Sequence, residues 1–479
     1  MPGGMNLPRP SLTVLCCVVW TIGCAGRHKT GPAVRPGSPA ADPDTHVLVI
    51  GAGMAGLTAA RALLEVGVTV TVIEARDRIG GRLHTTELAG APVDLGGAWV
   101  HGTRGSPIAA FADAHGIATN KDTSREDAGH DEGTGATLTD DLWDEMDAAY
   151  EGLPDVLRRY RNELGPDASL ADASALWVDE AGLTGTRARV ARFAIEQWHG
   201  ALEYAGAPED TSLRWFWEER SYRGGDHFLD GGYGVMMDIL AEGLHIELGQ
   251  PVRQVAVTDT GVVLTTDDGT HAGTHVIVTV PLGVLQGGGL AFEPALPTWK
   301  TEAIDRLAMG TLEKVVLRYD RAWFEPEGGG TFISADGDGA WAQIADVSAA
   351  AGAPTLVVLS GGDFSRTTRE QWTDAEVVDE VQAMLSTLYD RAAPTPEATA
   401  VTHWTTDPFA LGSYSFVPVG ASLDDLDVVG EPVGTRLRFA GEATTGDWYG
   451  TAHGALLSGL REAKALGVVD VQVPGLGEF

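Results

Sequence analysis

A glycine-rich turn near the N-terminus constrains this chain more than any other feature. His46 opens a continuous β-branched and aliphatic run, Val47-Leu48-Val49-Ile50, which reads as a short strand buried on both faces. It leads into Gly51-Ala52-Gly53-Met54-Ala55-Gly56. Residues 57–66 (LTAARALLEV) then read as a helix, and residues 68–73 as a second strand ending at Glu74. This is a βαβ unit with a glycine fingerprint in its first turn. Gly51 permits the tight turn around Ala52, Gly53 lets a pyrophosphate approach the backbone, and Gly56 lets helix and strand pack closely. The helix N-terminus offers unpaired N–H groups and a positive dipole end to phosphates. Glu74 lies 18 residues after Gly56, placed to accept hydrogen bonds from adenosine ribose hydroxyls. The combination predicts an α/β fold that binds an adenine dinucleotide.

At 479 residues the chain has room for two or more domains. Acidic residues number 67 and basic residues 33, a net charge of −34. Such a polyanion repels phosphate backbones, so nucleic-acid binding is disfavoured, while polycations are attracted. A solubility or salt-adapted surface is the plainer account of the same charge. The three cysteines, Cys16, Cys17 and Cys24, all precede the fingerprint. The body can therefore hold no disulfide, cysteine nucleophile, thiolate metal site or cysteinyl–cofactor bond, and no metal site is expected. Residues 12–23 (LTVLCCVVWTIG) are apolar but too few to span a bilayer, and have the length of a signal-peptide core. Thr21-Ile22-Gly23-Cys24 resembles a bacterial lipobox with Cys24 as the lipidated residue; a plain hydrophobic leader is the alternative. Residues 25–44, rich in Pro, Gly, Ala and Ser, fit a flexible tether. The expectation is an exported, envelope-bound protein whose body meets the membrane only through that anchor.

Beyond the fingerprint, Arg76-Asp77-Arg78-Ile79-Gly80-Gly81-Arg82 resembles the second glycine–arginine motif of the flavin amine oxidase superfamily. That resemblance implies an arginine, Arg76 or Arg82, on the FAD pyrophosphate. In APVDLGGAWVHG (residues 91–102), Gly96, Gly97 and Ala98 would bring backbone against the isoalloxazine, with Trp99 beside it. Gly249-Gln250-Pro251-Val252 resembles the segment whose valine backbone meets the adenine. Phe439-Ala440-Gly441-Glu442-Ala443-Thr444 and residues 449–459 (YGTAHGALLSG) are similar to the closing motif of polyamine oxidases, especially the animal spermine and acetylpolyamine oxidases. The resemblance implies that Glu442 contacts the sugar-phosphate region and that the Thr451–Ala452 backbone meets the pyrimidine ring. The helix starting near His453 would direct its N-terminus there. Monoamine oxidases tether FAD through a cysteine in this motif; Trp448-Tyr449 stand there instead, so FAD is expected to be non-covalent.

The same resemblance implies the reacting site. Tyr414, in Gly412-Ser413-Tyr414-Ser415, and Tyr449 would form aromatic walls guiding an amine to the flavin, with cation–π attraction for an ammonium. His101 would hydrogen-bond substrate. Lys314, leading into Val315-Val316-Leu317, matches the flavin-facing lysine that holds a water. Glu203, followed by Glu209 and Asp210, matches the tunnel carboxylates that receive distal cations. Thr451 completes the candidate catalytic set.

The expected architecture is a FAD-binding Rossmann-like domain with an interleaved substrate domain of mixed sheet and helices. The flavin segments are 45–120, 231–292 and 411–468. The substrate segments are 121–230, helical, and 293–410, mixed sheet; a tail covers 469–479. The implied reaction is hydride transfer from the carbon beside a neutral amine to FAD. The imine formed is cleaved by water to an aldehyde and a shorter amine, and oxygen is converted to hydrogen peroxide. Alternatives are oxidation of a monoamine or L-amino acid, and a flavin-bound polyamine-binding surface protein without turnover. With no long helical insertion, a histone demethylase fits less well.

Overall fold

The computed structural model describes residues 44–122, 129–131, 136–324, 330–333 and 340–466. The leader, the tether and Cys24 lie outside the described residues. Among these residues no helix is long and apolar enough to cross a membrane.

The fingerprint unit forms the middle of a five-stranded, all-parallel sheet. Its order is Leu437–Phe439, His275–Val278, His46–Ile50, Thr69–Ile73 and Ile246–Glu247. The central strand feeds two separate cores, as the period-two geometry of a strand requires. Val47 and Val49 join Leu57, Leu63, Leu456 and Leu460 on one face. Leu48 and Ile50 face Val255, Leu264 and Phe439 on the other. Helices Met54–Glu65 and Ala452–Ala465 cross closely because Gly459 sits at the contact, and Gly56 lets the first helix lie against the turn that precedes it. A Cβ on Gly459 would fall 2.3 Å from the Ala55 carbonyl oxygen, and one on Gly56 2.0 Å from that of Gly51. The α/β expectation holds, and strand Leu437–Phe439, from the last expected flavin segment, joins this sheet beside His275–Val278. The helix begins at Met54 and the second strand at Thr69. The strand at His275 ends at Val278, where Thr279 turns back to donate its hydroxyl to Ile50 O (2.7 Å).

In a second, six-stranded sheet Leu312–Arg318 lies one strand in from the edge, paired antiparallel with both Thr355–Gly361 and the edge strand Ala398–Val401. Val315 and Leu317 pack with Trp341, Val377 and Val381, while Val316 joins Phe193, Leu202 and Leu213 in the core under the helices. Helices Asp140–Glu163, Leu170–Glu180 and Gly185–Arg192 run directly into a ten-residue π-helix, Phe193–Leu202. The helical texture expected across the 121–230 segment breaks after residue 202. There the chain makes turns and then strand Asp226–Leu229 before helix Tyr233–Ala241. Long-range pairing overrides the local pattern: this strand lies antiparallel to both Trp99–His101 and Thr119–Lys121. Strand Ser415–Phe416 similarly pairs with Ala308–Met309. These pairings stitch the flavin-side and substrate-side segments together where the predicted site residues collect.

Candidate active site

The first glycine turn has the form its sequence predicts. Gly51 adopts φ +102°. Gly53 is the N-cap of the first helix, which has no side-chain cap and no acidic residue in its first turn. A Cβ on Gly53 would meet only Gly80 O, at 3.9 Å, so the approach to the helix N-terminus is open. Glu74 is buried and accepts from Ala52 N (2.6 Å) and Arg76 N (2.9 Å), locking the turn. Gln250 N donates to Glu74 O and Gly249 N to Arg76 O, both at 2.8 Å, which brings the segment containing Val252 alongside Glu74.

The two candidate phosphate arginines differ in their engagement. Arg76 places both arms on Asp407 (2.7 and 2.9 Å) and stacks over Phe409, a fixed ion pair. Arg82 uses only Nη1, donating to Ser413 O and to Glu442, each at 2.9 Å. It also lines a cavity with Val280, Leu285, Phe439, Gly441 and Glu442. Gly81, at φ +59°, would place a Cβ 3.4 Å from Gly53 Cα, so the two glycine motifs touch. An uncapped helix N-terminus, an open glycine approach, a buried ribose-type acceptor and an arginine facing a cavity fit a flavin dinucleotide.

Glu442 ties the closing motif to the Tyr414 segment. Buried, it accepts from Ser415 Oγ (2.5 Å) and Gly450 N (2.9 Å) as well as from Arg82. The Thr451 hydroxyl is engaged as a helix N-cap: it accepts from Gly454 N (3.0 Å) and donates to Trp448 O (2.7 Å). Only the backbone of Thr451 and Ala452, at the start of helix Ala452–Ala465, remains for a ligand. His453, next along, is buried against Tyr222 and Trp448, with Nε2 unpartnered. Burial, reinforced by His101, pushes its pKa down to about 3, so it is neutral.

Around this motif the structure gathers Tyr414, Tyr449, Glu203 and His101. The Tyr414 hydroxyl lies 3.0 Å from Leu202 O and 3.1 Å from Glu203 O, at the end of the π-helix. Its ring comes within 3.4 Å of where a Gly450 Cβ would stand. The Tyr449 ring faces that of Tyr204 at 6.3 Å. Glu203 accepts from Trp217 Nε1 (3.1 Å). Glu209 and Asp210 are exposed and do not join it.

His101 stands directly opposite Asp226 in the antiparallel register, with Nδ1 3.2 Å from the carboxylate. The His101 side chain is about half exposed, and although its partial desolvation opposes the charged imidazole, Asp226, with Glu203 and Asp122, outweighs it and raises the pKa. Trp99 Nε1 donates to Asp122 (2.7 Å) and its ring tilts against Phe228.

Lys314 is buried, and its Nζ donates to Asp94 O (3.0 Å) and Gly96 O (2.6 Å) within 5.2 Å of the Trp99 ring centre. Two of its three N–H groups thus hold the Gly96–Gly97–Ala98 stretch, leaving one donor. Burial pulls its pKa down to about 8 against the pull of Asp94. Lys314, from strand Leu312–Arg318, thus grips the start of the short segment whose other end carries His101.

Sequence reading missed three members of this site. Asp226 becomes visible only through strand register. Tyr204 and Glu219 meet across a chain reversal, the phenol donating to Oε1 at 2.5 Å. Their one local signal was an aromatic–acid pattern among many acidic residues. Among the described residues no group of three His, Cys, Asp or Glu side chains is arranged to hold a metal ion.

Comparison with known proteins agrees with this geometry. Residues 54–467 match the family described as flavin containing amine oxidoreductase. The chain is 35% identical over 457 residues to the rice protein "Lysine-specific histone demethylase 1 homolog 1", covering 90% of this chain and 53% of that one. It is 32% identical over 434 residues to rice "Polyamine oxidase 4", covering 87% of each. The chain thus spans about half the length of the demethylase relatives and most of the polyamine oxidase. A solved structure of putrescine oxidase bound to putrescine superposes with TM-score 0.72 at 20% identity, covering 88% of this chain and 98% of that one, a likeness of fold. The cradle, the closing motif and the match across residues 54–467 together make this chain a member of the flavin containing amine oxidoreductase family, with FAD as its cofactor.

Proposed function

We propose that this chain oxidises a polyamine, with FAD bound non-covalently and oxygen as acceptor. The observation that carries the reading is the joining of aromatic walls and carboxylates beside the closing motif: Tyr414 and Tyr449 with Glu203 at the π-helix end. π-Helices are rare and concentrate at functional sites. The polyamine oxidase to which the chain is similar over most of both lengths supports the same substrate class.

When bound, the flavin supplies the hydride acceptor and the route of electrons to oxygen. The chain's residues do the rest. Gly51, Ala52, Gly53 and Gly56 would shape the phosphate turn, Glu74 would receive the ribose, Val252 would border the adenine, and Arg82 has donors for the pyrophosphate. Arg76 holds Asp407 and so supports this wall. Gly97, Ala98 and Trp99 would border the ring system, on a stretch that Lys314 keeps in place. Tyr414 and Tyr449 orient a flat approach for the amine, and Glu203 receives a distal ammonium. Holding the C–H bond over its acceptor is the main contribution. Asp226 keeps His101 protonated to higher pH than a free imidazole, so His101 accepts from an amine only above that raised pKa. Turnover is accordingly expected to rise from neutral to alkaline pH, where the substrate amine also loses its proton.

An aerobic screen of spermine, spermidine, their acetylated forms and simple monoamines, with peroxide assay and product identification, tests the reading. Peroxide and an aldehyde from a polyamine support it; turnover of monoamines alone overturns it. The 35% identity to the demethylase homologue favours a second reading, oxidation of a methylated lysine side chain, and a methyl-lysine peptide belongs in the same screen. We further propose export and lipidation at Cys24. Loss of membrane-fraction association in Cys24→Ala is the expected result; an unchanged distribution overturns it.

A further inference from the structure

Glu219 is a carboxyl that the reaction outlined above does not use, yet the fold goes to some length to hold it at the site. It follows Trp217, a bulky residue in the left-handed region at φ +57°, and it meets Tyr204, which precedes Ala205, also at φ +57°. Non-glycine residues in this region are uncommon and cluster where function over-determines the backbone. The two reversals bring together residues 15 apart, so that the Tyr204 hydroxyl donates to Oε1 at 2.5 Å. The other oxygen, Oε2, is buried with no hydrogen-bond partner, and the ring of Tyr204, which holds the carboxyl, lies 6.3 Å from the ring of Tyr449, whose pKa the carboxyl raises. Tyr449 is one of the two walls of the amine slot. Glu219 therefore sits immediately behind that wall.

We propose that Glu219 receives, through the hydroxyl of Tyr449, the proton that a bound ammonium must lose before its neighbouring carbon can release hydride. The ammonium N–H passes its proton to the Tyr449 oxygen as the phenol's own proton passes to Glu219. A charged amine and a carboxylate become a neutral amine and a carboxylic acid, and the phenol ends as it began. Glu219 later returns the proton to solvent. The proposal rests on the amine-oxidation reading, because only such a substrate needs this deprotonation.

The surroundings suit a proton acceptor that works near neutrality. Burial raises the Glu219 pKa. The Tyr204 hydrogen bond favours the anion, and the charges of Glu203 at the π-helix end and Glu218 on its own segment disfavour it. The balance lies at about 7. Arg161 pairs with Glu218. Tyr204 and Tyr449 are themselves raised well above an ordinary phenol, so both stay protonated and able to relay. A general base works best when its pKa lies near the working pH.

The test is anaerobic stopped-flow reduction of the holoenzyme's flavin by saturating spermine across pH. In the wild type the limiting rate should rise through an ionisation near neutrality. Glu219→Gln should lose that inflection and about tenfold or more of the rate above it. Tyr204→Phe keeps the carboxylate but removes a donor that favours its charged form, so the inflection should move to higher pH. A merely structural Glu219 would move neither feature. The proposal falls if Glu219→Gln keeps both the rate and the inflection. If that variant does not retain FAD, Tyr204→Phe decides alone, and an unmoved inflection overturns the proposal. If no polyamine reduces the wild-type flavin, the substrate reading fails instead. The same titration with the methyl-lysine peptide then tests Glu219, because that amine must lose its proton too.

Discussion

Two residues carry contrasting kinds of work. Glu74 is a buried acceptor held by two backbone donors, and we propose the ribose hydroxyls as its further partners. Glu74→Ala should weaken FAD retention by about tenfold or more, the scale of a lost hydrogen bond to a charged group, with little effect on the reduction rate of the FAD that stays bound. Equilibrium dialysis of FAD against the apoprotein would measure it, and unchanged affinity would contradict the cradle. Lys314 is different because it grips backbone. Its two bonds to Asp94 O and Gly96 O hold the stretch expected against the flavin ring, and its remaining donor is free to order a water. Lys314→Met keeps the bulk but removes the charge and all three donors. Flavin reoxidation by oxygen should slow by about tenfold, or 1.4 kcal/mol of barrier. Reoxidation at the wild-type rate in stopped flow would remove Lys314 from the reacting site. His101 and Lys314 were legible as candidates from short motifs, but their partners Asp226 and Asp94 were not, because those contacts cross strands.

Helix Ala452–Ala465 concentrates the function of the closing motif. Thr451 caps it, Gly459 lets it lie against Met54–Glu65, and His453 is buried in its first turn without a partner for Nε2. A histidine held neutral in the fold but free to charge when unfolded makes stability depend on pH. The unfolded chain gains this proton below about pH 6.5, the folded chain only near about 3, so stability falls as pH drops across that window. His84, lowered to about 4 by burial and then by Arg78 and Arg76, acts in the same direction. Glu219 acts oppositely below about 7, because its folded form binds the proton first. The informative quantity is therefore a difference between proteins. The stability gap between wild type and His453→Gln should shrink by on the order of a few kcal/mol between about pH 6.5 and 4, measured by urea unfolding of the holoenzymes. A gap independent of pH would mean that His453 titrates normally. The glycine motif was readable before the helix it starts, whereas the histidine's burial against Tyr222 and Trp448 depends on chain segments far away.

The whole molecule carries a net charge of −34. A polycationic substrate should be drawn to it at long range, and salt should screen that attraction. kcat/KM for spermine is expected to fall by about tenfold between 0.01 and 1 M salt, as the screening length shrinks from about 30 to 3 Å, with kcat little changed. A monoamine should show a shallower dependence. Equal slopes for both would show that the charge serves solubility alone.

What the sequence determined by itself is the cofactor half of the protein. A strand, glycine turn, helix and acid within 30 residues form through local contacts and parallel pairing, so residue type and spacing suffice to read them. The closing motif is equally short-range. The substrate half was decided only in three dimensions. Tyr204, Glu219, Tyr414 and Tyr449 come from separated stretches, and His101 meets Asp226 through the register of two strands 125 residues apart. Abundant acidic residues gave no means of telling the buried Glu219 from the exposed Glu209 and Asp210. Burial and register, which set each carboxyl's dielectric surroundings and neighbours, exist only once the distant segments have packed together.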